Sequence, residues 1–385
     1  MDFRLSEEQK MVQKTAREFA EKEMMPYASQ WEEEGEIPMD LYRKMARLGM
    51  LGGPIPEEYG GAGMDYVSYH LMIEEIARVC SSVRTTISVH TSLAQTTLLL
   101  FASEEQKQKY LVPMAKGEKL GAWAATEPNA GSDLANLQTA AVLDGEEWIL
   151  NGTKMFISNG DIADVVVVLA RMKETKRHEG ICAFIVEKGT PGFRSGKVEI
   201  GSKLGLRASH TAELIFEDCR IPKDNIVGEV GQGWEIAMKT LNSGRLSVAA
   251  GAVGIARACL EESIKFAKER IAFGKPIASF QMIREMIAQM RTEIDAARFL
   301  VLSAAHLRDL GKDYTLEASM AKLFSAQVVM RAADKAVQIH GGYGYSSEFP
   351  VERYFRDAKI CSIYEGTNEI QKIIIARKVI GETDI

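Results

Sequence analysis

The chain reads as an α+β fold in three parts: an N-terminal helical domain over residues 1–118, a central antiparallel β-sheet or barrel domain over 119–232, and a C-terminal four-helix bundle over 233–385. Three observations predict it. Apolar residues recur at helical spacing up to about residue 118. From Lys119 the pattern changes to short β-type runs punctuated by Gly, Asn, Asp and Pro, with no βαβ rhythm. From Trp234 the chain returns to long, alanine-rich segments with apolar stripes.

In the first part, Ser6 and Gln9 have the spacing of a capping box. Val12, Ala16, Phe19 and Glu23 follow at helical spacing, and Pro26 lies near the end of that helix. Pro38 opens a second helix at its first turn, carrying Leu41, Met45 and Leu48 before Gly49. Residues 52–56 and 59–63 are loops rich in Gly and Pro. Helices resume at Ile73–Ala77 and Ile87–Phe101, the latter apolar on most faces and therefore buried. In the second part, strands are predicted at 122–125, 148–150, 165–169, 181–186 and 212–216. The turns Asp144-Gly145, Asn151-Gly152 and Asn159-Gly160 separate some of them, and residues 228–233 lead out. In the third part, helices are predicted at 234–271, 280–310, 316–339 and 369–380. The 18 methionines read as core filler.

With 385 residues, 46% apolar and 26% charged, the chain can bury a large core. A net charge of −6 argues against nucleic acid or an anionic membrane as the main partner. No apolar run approaches the ~20 residues a membrane span needs. The start, Met1-Asp2-Phe3-Arg4-Leu5, is not that of a signal peptide. Five scattered cysteines without a C-x-x-C pair imply reduced thiols in a cytoplasmic setting and no zinc site. Six dispersed histidines without H-E-x-x-H give no reason to expect a metal.

Neither a G-x-G-x-x-G after a strand nor a G-K-[ST] loop nor G-x-S-x-G occurs, so Rossmann, P-loop and nucleophile-elbow chemistry are unsupported. Chemistry-bearing stretches lie elsewhere. The turn 126–133, TEPNAGSD, follows a strand and is crowded with N–H and hydroxyl donors. It is either a tight connection or a grip on a polar ligand. Residues 338–344, QIHGGYG, end a helix with more glycines than a cap requires, which favours close approach to a phosphate or another backbone. Arg270 to Lys275 end another helix, with Phe280-Gln281 shortly after. In 363–371, IYEGTNEIQ, an acid precedes glycine. Glu365 there is either a solvated surface charge or, with apolar neighbours, a dehydrated carboxylate of raised pKa able to act as a base.

As a set, TEPNAGSD at 126–133, KMFISNG at 154–160, ERIAFGKPI at 269–277, QIHGGYG at 338–344 and RDAKICSIYEGTNEIQ at 356–371 resemble the acyl-CoA dehydrogenase family over nearly the whole chain. The resemblance implies FAD as cofactor. Trp123, Ala125, Thr126, Gly131 and Ser132 would run along the flavin, with Ser132 also near substrate. Phe156 and Ser158 would cover its other side, where many relatives carry Trp in place of Phe156. Arg270, Phe273, Phe280 and Gln281 would hold the ADP half, helped by Gln338, Gly341 and Gly342 of a neighbouring subunit. Thr367 and Glu369 would touch the dinucleotide again.

By the same resemblance Glu365 is the catalytic base, removing the α-proton of an acyl-CoA while the β-hydride leaves for the flavin. Its backbone N–H and a ribityl hydroxyl would steady the enolate oxygen. Some relatives place the base on a bundle helix, at the position of Gly244, which this chain cannot use. Asn242, Arg245 and Gly366 would contact the substrate, although relatives often have Asp at 242. An electron-transfer flavoprotein would accept the electrons, and a homotetramer, at least a dimer, is implied.

Substrate choice turns on the 87–101 helix, where Leu93, Ala94, Thr96 and Thr97 are candidates to set pocket depth. His90 reads as a satisfied core histidine or a pocket liner. Arg84 is either an exposed arginine at a helix start or a buried cation for a substrate's distal carboxylate. Arg84 and Ser88 resemble glutaryl-CoA dehydrogenases, but Ala77 replaces an acidic residue of theirs. The readings are thus a short- or medium-chain acyl-CoA dehydrogenase, a glutaryl-type enzyme, an acyl-CoA oxidase, and a catalytically silent flavin- or CoA-binding subunit.

Overall fold

The computed structural model describes residues 4–381. Met1 to Phe3, part of the stretch read as lacking a signal peptide, lie outside the described residues.

Helix α1 (Glu7–Phe19) starts at a complete Ser6/Gln9 capping box. A π-helical stretch, Ala20–Met24, leads to α2 (Ala28–Glu34). In α3 (Met39–Arg47) Pro38 is the cap and not a first-turn residue as expected. Next, α4 (Tyr66–Val79) is buried on nearly every face. The helix expected from Ile87 starts earlier: α5 (Ser81–Ile87), a π-helical stretch (Ser88–Gln95) and α6 (Thr96–Phe101) run without interruption. Short helices α7 (Glu104–Gln106) and α8 (Val112–Ala115) close the region.

Eight strands form the main sheet: β1 (Gly121–Ala124), β2 (Ala140–Asp144), β3 (Glu147–Ser158), β4 (Val165–Met172), β5 (Ile181–Glu187), β6 (Phe193–Val198), β7 (Thr211–Pro222) and β8 (Ile226–Val227). Their order is β6-β7-β3-β2-β4-β5-β8, with β1 beside β4. Pairing is mostly antiparallel, but β1 and β2 each run parallel to β4. The chain makes the β2–β3 hairpin between β1 and β4, and that length of crossover allows β4 to re-enter in the same direction as β1. Alternate residues of β4 feed two cores: Val165, Val167 and Leu169 face helices, whereas Val166 and Val168 pack against Trp148 and Phe184.

The last part holds α9 (Gly233–Glu269), a small hairpin of β9 (Ile271–Ala272) and β10 (Lys275–Pro276), α10 (Gln281–Asp309), α11 (Thr315–His340), α12 (Val351–Ala358) and α13 (Asn368–Ile380). Its helices share one core with α1–α5, so the two helical regions make a single body with the sheet attached. Small residues allow the closest approach: a Cβ on Gly254 of α9 would lie 2.9 Å from Ala77 of α4. Methionine is not confined to the core: Met11, Met25, Met39 and Met282 are exposed. No helix among the described residues is long and apolar enough to cross a membrane.

Candidate active site

Glu365 sits between α12 and α13 with φ 54°, the left-handed region, followed by Gly366 at φ 91°. For a non-glycine residue this conformation costs roughly 1–2 kcal/mol, so neighbours must hold it. Gln371 Nε2 donates to Gly366 O at 2.9 Å. Thr367 caps α13 by accepting from Ile370 N. Tyr364 OH accepts from Arg84 at 2.5 Å.

The reading of Glu365 as a solvated surface charge is not what the fold gives. The residue is half-buried, but Oε2 is shielded from solvent and has no hydrogen-bond partner. Burial raises its pKa to about 7, against the pull of Arg84, Arg245 and Lys322. Gly244 of α9 makes the space: a Cβ there would overlap Oε2 and stand 2.7 Å from Leu93. Leu93, on the π-helical stretch, therefore adjoins the carboxylate.

Arg84 is likewise not an exposed helix-start arginine. It is 1% exposed, and its Nε has no partner. Ser81 and Tyr364 accept from its Nη2, and Gly251 of α9 leaves room for it. Ser88 pairs with Ser247 of α9 at 2.7 Å. Arg245 is buried with Nε unpartnered, and burial lowers its pKa to about 10. It donates to Asn242 Oδ1 at 2.9 Å, while Asn242 Nδ2 donates to Thr315. His90 is a core histidine: it accepts from Gly121 N, bonds Met114 O through Nε2, and burial lowers its pKa to about 4. Thr97 bonds Leu93 O and Thr240, and Thr96 bonds Thr91 O. Glu369 is exposed in the first turn of α13.

At the sheet, Trp123 is buried in β1 with Nε1 unpartnered. Ala125 and Thr126 follow, their carbonyls accepting from Lys154 Nζ at 3.2 Å and Met155 N at 2.8 Å. Phe156 occupies the irregularity of β3 at φ 59° and is 64% exposed. Ser158 ends that strand opposite Thr211. Gly131 and Ser132 are exposed, and a Cβ on Gly131 would meet nothing within 4 Å.

A third group lies at the far end of α9. Arg270, Gly341 and Gly342 line a cavity of about 510 Å³ with Phe266 and Tyr343, and Arg270 lies over the Tyr343 ring. Glu365 does not line it. Gln338 is exposed, and its carbonyl accepts from Gly341 N. Phe273, 95% exposed at φ 50°, meets Phe280 edge-on, and Gln281 begins α10, also exposed.

Sequence reasoning missed Lys322, Tyr364, Gln371 and the buried Lys154–Glu127 pair. Lys322 and Gln371 are fully buried. Their signal was polar residues within apolar helical stripes, which is weak evidence in a single sequence.

Three family models match: the acyl-CoA dehydrogenase N-terminal domain over residues 6–118, the middle domain over 122–219 and the C-terminal domain over 231–380. A short-chain specific acyl-CoA dehydrogenase of Clostridium acetobutylicum is 49% identical over 98% of this chain and 100% of its own. This chain belongs to the acyl-CoA dehydrogenase family. A chain in the solved structure described as "Electron transferring flavoprotein of Acidaminococcus fermentans: Towards a mechanism of flavin-based electron bifurcation" superposes with TM-score 0.97 at 48% identity, over 99% of this chain and 100% of that one. A glutaryl-coenzyme A dehydrogenase solved with glutaryl-CoA gives TM-score 0.95 at 41% identity, over 100% and 98%.

As an acyl-CoA dehydrogenase the protein is an oxidoreductase and an FAD-dependent flavoenzyme. Its residues fit that cofactor. The buried, unpartnered Trp123 Nε1, the open space at Gly131 and the outward-turned Phe156 lie on adjoining segments of β1, its following turn and β3. They offer an aromatic ring and open space beside a free indole N–H.

Proposed function

We propose that this enzyme dehydrogenates short acyl-CoA thioesters at the α,β-bond, with Glu365 as the base. The observation that carries this reading is the Glu365 Oε2: desolvated, unpartnered and near-neutral in proton affinity. A base works best when its pKa lies near the working pH. Bound FAD supplies the acceptor for the β-hydride. Trp123, Ala125, Thr126, Gly131, Ser132, Phe156 and Ser158 would hold its ring side. Arg270, Phe273, Phe280 and Gln281 would hold the ADP half with help from Gln338, Gly341 and Gly342 of a neighbouring subunit, and Thr367 and Glu369 would touch the dinucleotide again.

Glu365 takes the α-proton, and its backbone N–H donates to the developing enolate oxygen. Arg84, Arg245 and Lys322 keep enough of the carboxylate ionised to begin. Leu93 and Gly244 exclude water from the same spot. Asn242, Arg245, Gly366 and Ser132 position the thioester.

The short-chain preference is supported by the Clostridium acetobutylicum relative, and transfer of electrons to an electron-transfer flavoprotein by the Acidaminococcus fermentans structure. Assembly into a homotetramer is supported by apolar groups left exposed on the last helices: Met282, Phe299, Leu310, Val379 and Ile380. The five cysteines are free and buried, in keeping with a cytoplasmic enzyme. The domains divide at about residues 118 and 232.

Arg84 favours a second reading, a dicarboxylyl-CoA substrate of the glutaryl kind, because its buried Nε has no partner. Anaerobic titration of the flavin absorbance with butyryl-CoA and glutaryl-CoA decides between them. Bleaching by butyryl-CoA alone supports the first reading, and preferential bleaching by glutaryl-CoA that Arg84→Ala abolishes supports the second. In either case Glu365→Gln should keep flavin and bind acyl-CoA while turnover falls by about 10²–10⁴. Near-normal turnover in that variant would mean another group is the base.

A further inference from the structure

Lys322 lies in the third turn of α11, 0% exposed, among the largest fully buried side chains of the protein. A buried lysine is costly unless a carboxylate neutralises it. Among the described residues no carboxylate lies within 4 Å of its ammonium; its hydrogen-bond partner is the side chain of Asn368, whose Oδ1 accepts at 3.2 Å. Asn368 is the first residue of α13, three positions after Glu365, in the loop that keeps Glu365 in a left-handed conformation. Such strain persists only where surrounding contacts over-determine it.

We propose that Lys322 is a positioning residue for Glu365: through Asn368 it anchors the strained 365–368 loop to α11, and its ammonium is one of three buried cations that hold the Glu365 carboxylate ready to accept a proton. The inference rests on the reading of Glu365 as base. The groups facing Glu365 are Arg84 from α5, Arg245 from α9, Lys322 from α11 and Tyr364 from its own loop. Those facing Lys322 are Cys361, Glu365, Arg245 and Glu369. Burial lowers the pKa of Lys322 to about 8, so at neutral pH the ammonium still carries its charge. With no ion-pair partner among the described residues, that charge is left to act on the nearby carboxylate.

Two measurements on the flavin-loaded enzyme test this. One is an infrared titration of the Glu365 carboxyl, its band assigned by its loss in Glu365→Gln. The other is the pH profile of kcat/KM with butyryl-CoA, or with glutaryl-CoA if that is the substrate. Lys322→Met should raise the infrared midpoint and the acid limb together by about half to one pH unit, and Lys322→Arg should restore both. An unmoved infrared midpoint in folded Lys322→Met overturns the electrostatic role. Asn368→Leu leaves the ammonium in place but removes its anchor. It should lower kcat several-fold with little change in KM, and an unchanged kcat overturns the anchoring role. Asn368→Leu also keeps the proposal testable if Lys322→Met does not fold. If Glu365→Gln turns over normally, the reading of Glu365 as base fails, and the infrared midpoint still reports what Lys322 does to that carboxyl.

Discussion

Gly244 and Glu365 define one small space between them. The missing side chain on α9 leaves room for the carboxylate, and the same packing that admits it removes its water. Because burial raises the Glu365 pKa to about 7, the proposed base is protonated in acid and free above neutrality. The kcat/KM for acyl-CoA should therefore rise with pH through about 7 and level off beyond it. A flat profile from pH 5 to 9 would contradict this. The local motif around Glu365 was legible because glycine follows an acid in a distinctive run. The depth of the carboxylate was not legible, since it depends on α5, α9 and α11, each far away in the chain. Arg84 shows the same limit: in sequence it begins a helix, but in space α9 and Tyr364 close over it.

At the scale of elements, β3 and the turn after β1 are fastened by one buried pair. Lys154 donates to Glu127 at 2.7 Å, and Glu127 also accepts from Gln138 N, Thr139 N and Thr139 Oγ1. Burial pulls the Lys154 pKa down to about 8, while Lys154 and the hydrogen bonds around Glu127 hold the carboxylate below its usual range despite burial. Lys154→Met would strand Glu127 and cost about 3–5 kcal/mol. The fall should appear in denaturant unfolding, with loss of flavin on gel filtration, and a variant that keeps both would refute the clamp. Among the strands, β2 and β6 escaped the pattern reading for a physical reason. Both are only partly buried: Phe193–Val198 is mostly polar, and the short apolar run of Ala140–Asp144 is led by two alanines, which have little strand preference. Helix α12 was missed because its stripe of Val351, Tyr354 and Ala358 is interleaved with charge.

At the scale of the molecule, two acids tie the sheet to the helical body. Asp357 of α12 accepts from Leu206 N at 2.7 Å, and Glu32 of α2 accepts from Arg207 N at 3.0 Å. Burial, then the nearby Glu32, raises the Asp357 pKa to about 7. Its contribution to stability is therefore complete in acid and declines as pH rises from the ordinary carboxylate range through about 7. Asp357→Asn keeps an acceptor for Leu206 and removes the charge. Its Tm should gain on the parent between pH 5 and pH 8, and a difference independent of pH would refute the assignment. The three-part organisation was plain in the periodicity. The common core of the outer parts was not, because nothing in a local pattern says that α4 will lie on α9. That common core bears on how the chain is made. When the first 118 residues leave the ribosome, α9 has not been translated, so the faces of α4 and α5 that it will cover emerge bare. Those faces must wait for more than a hundred further residues, the whole sheet among them, before α9 covers them.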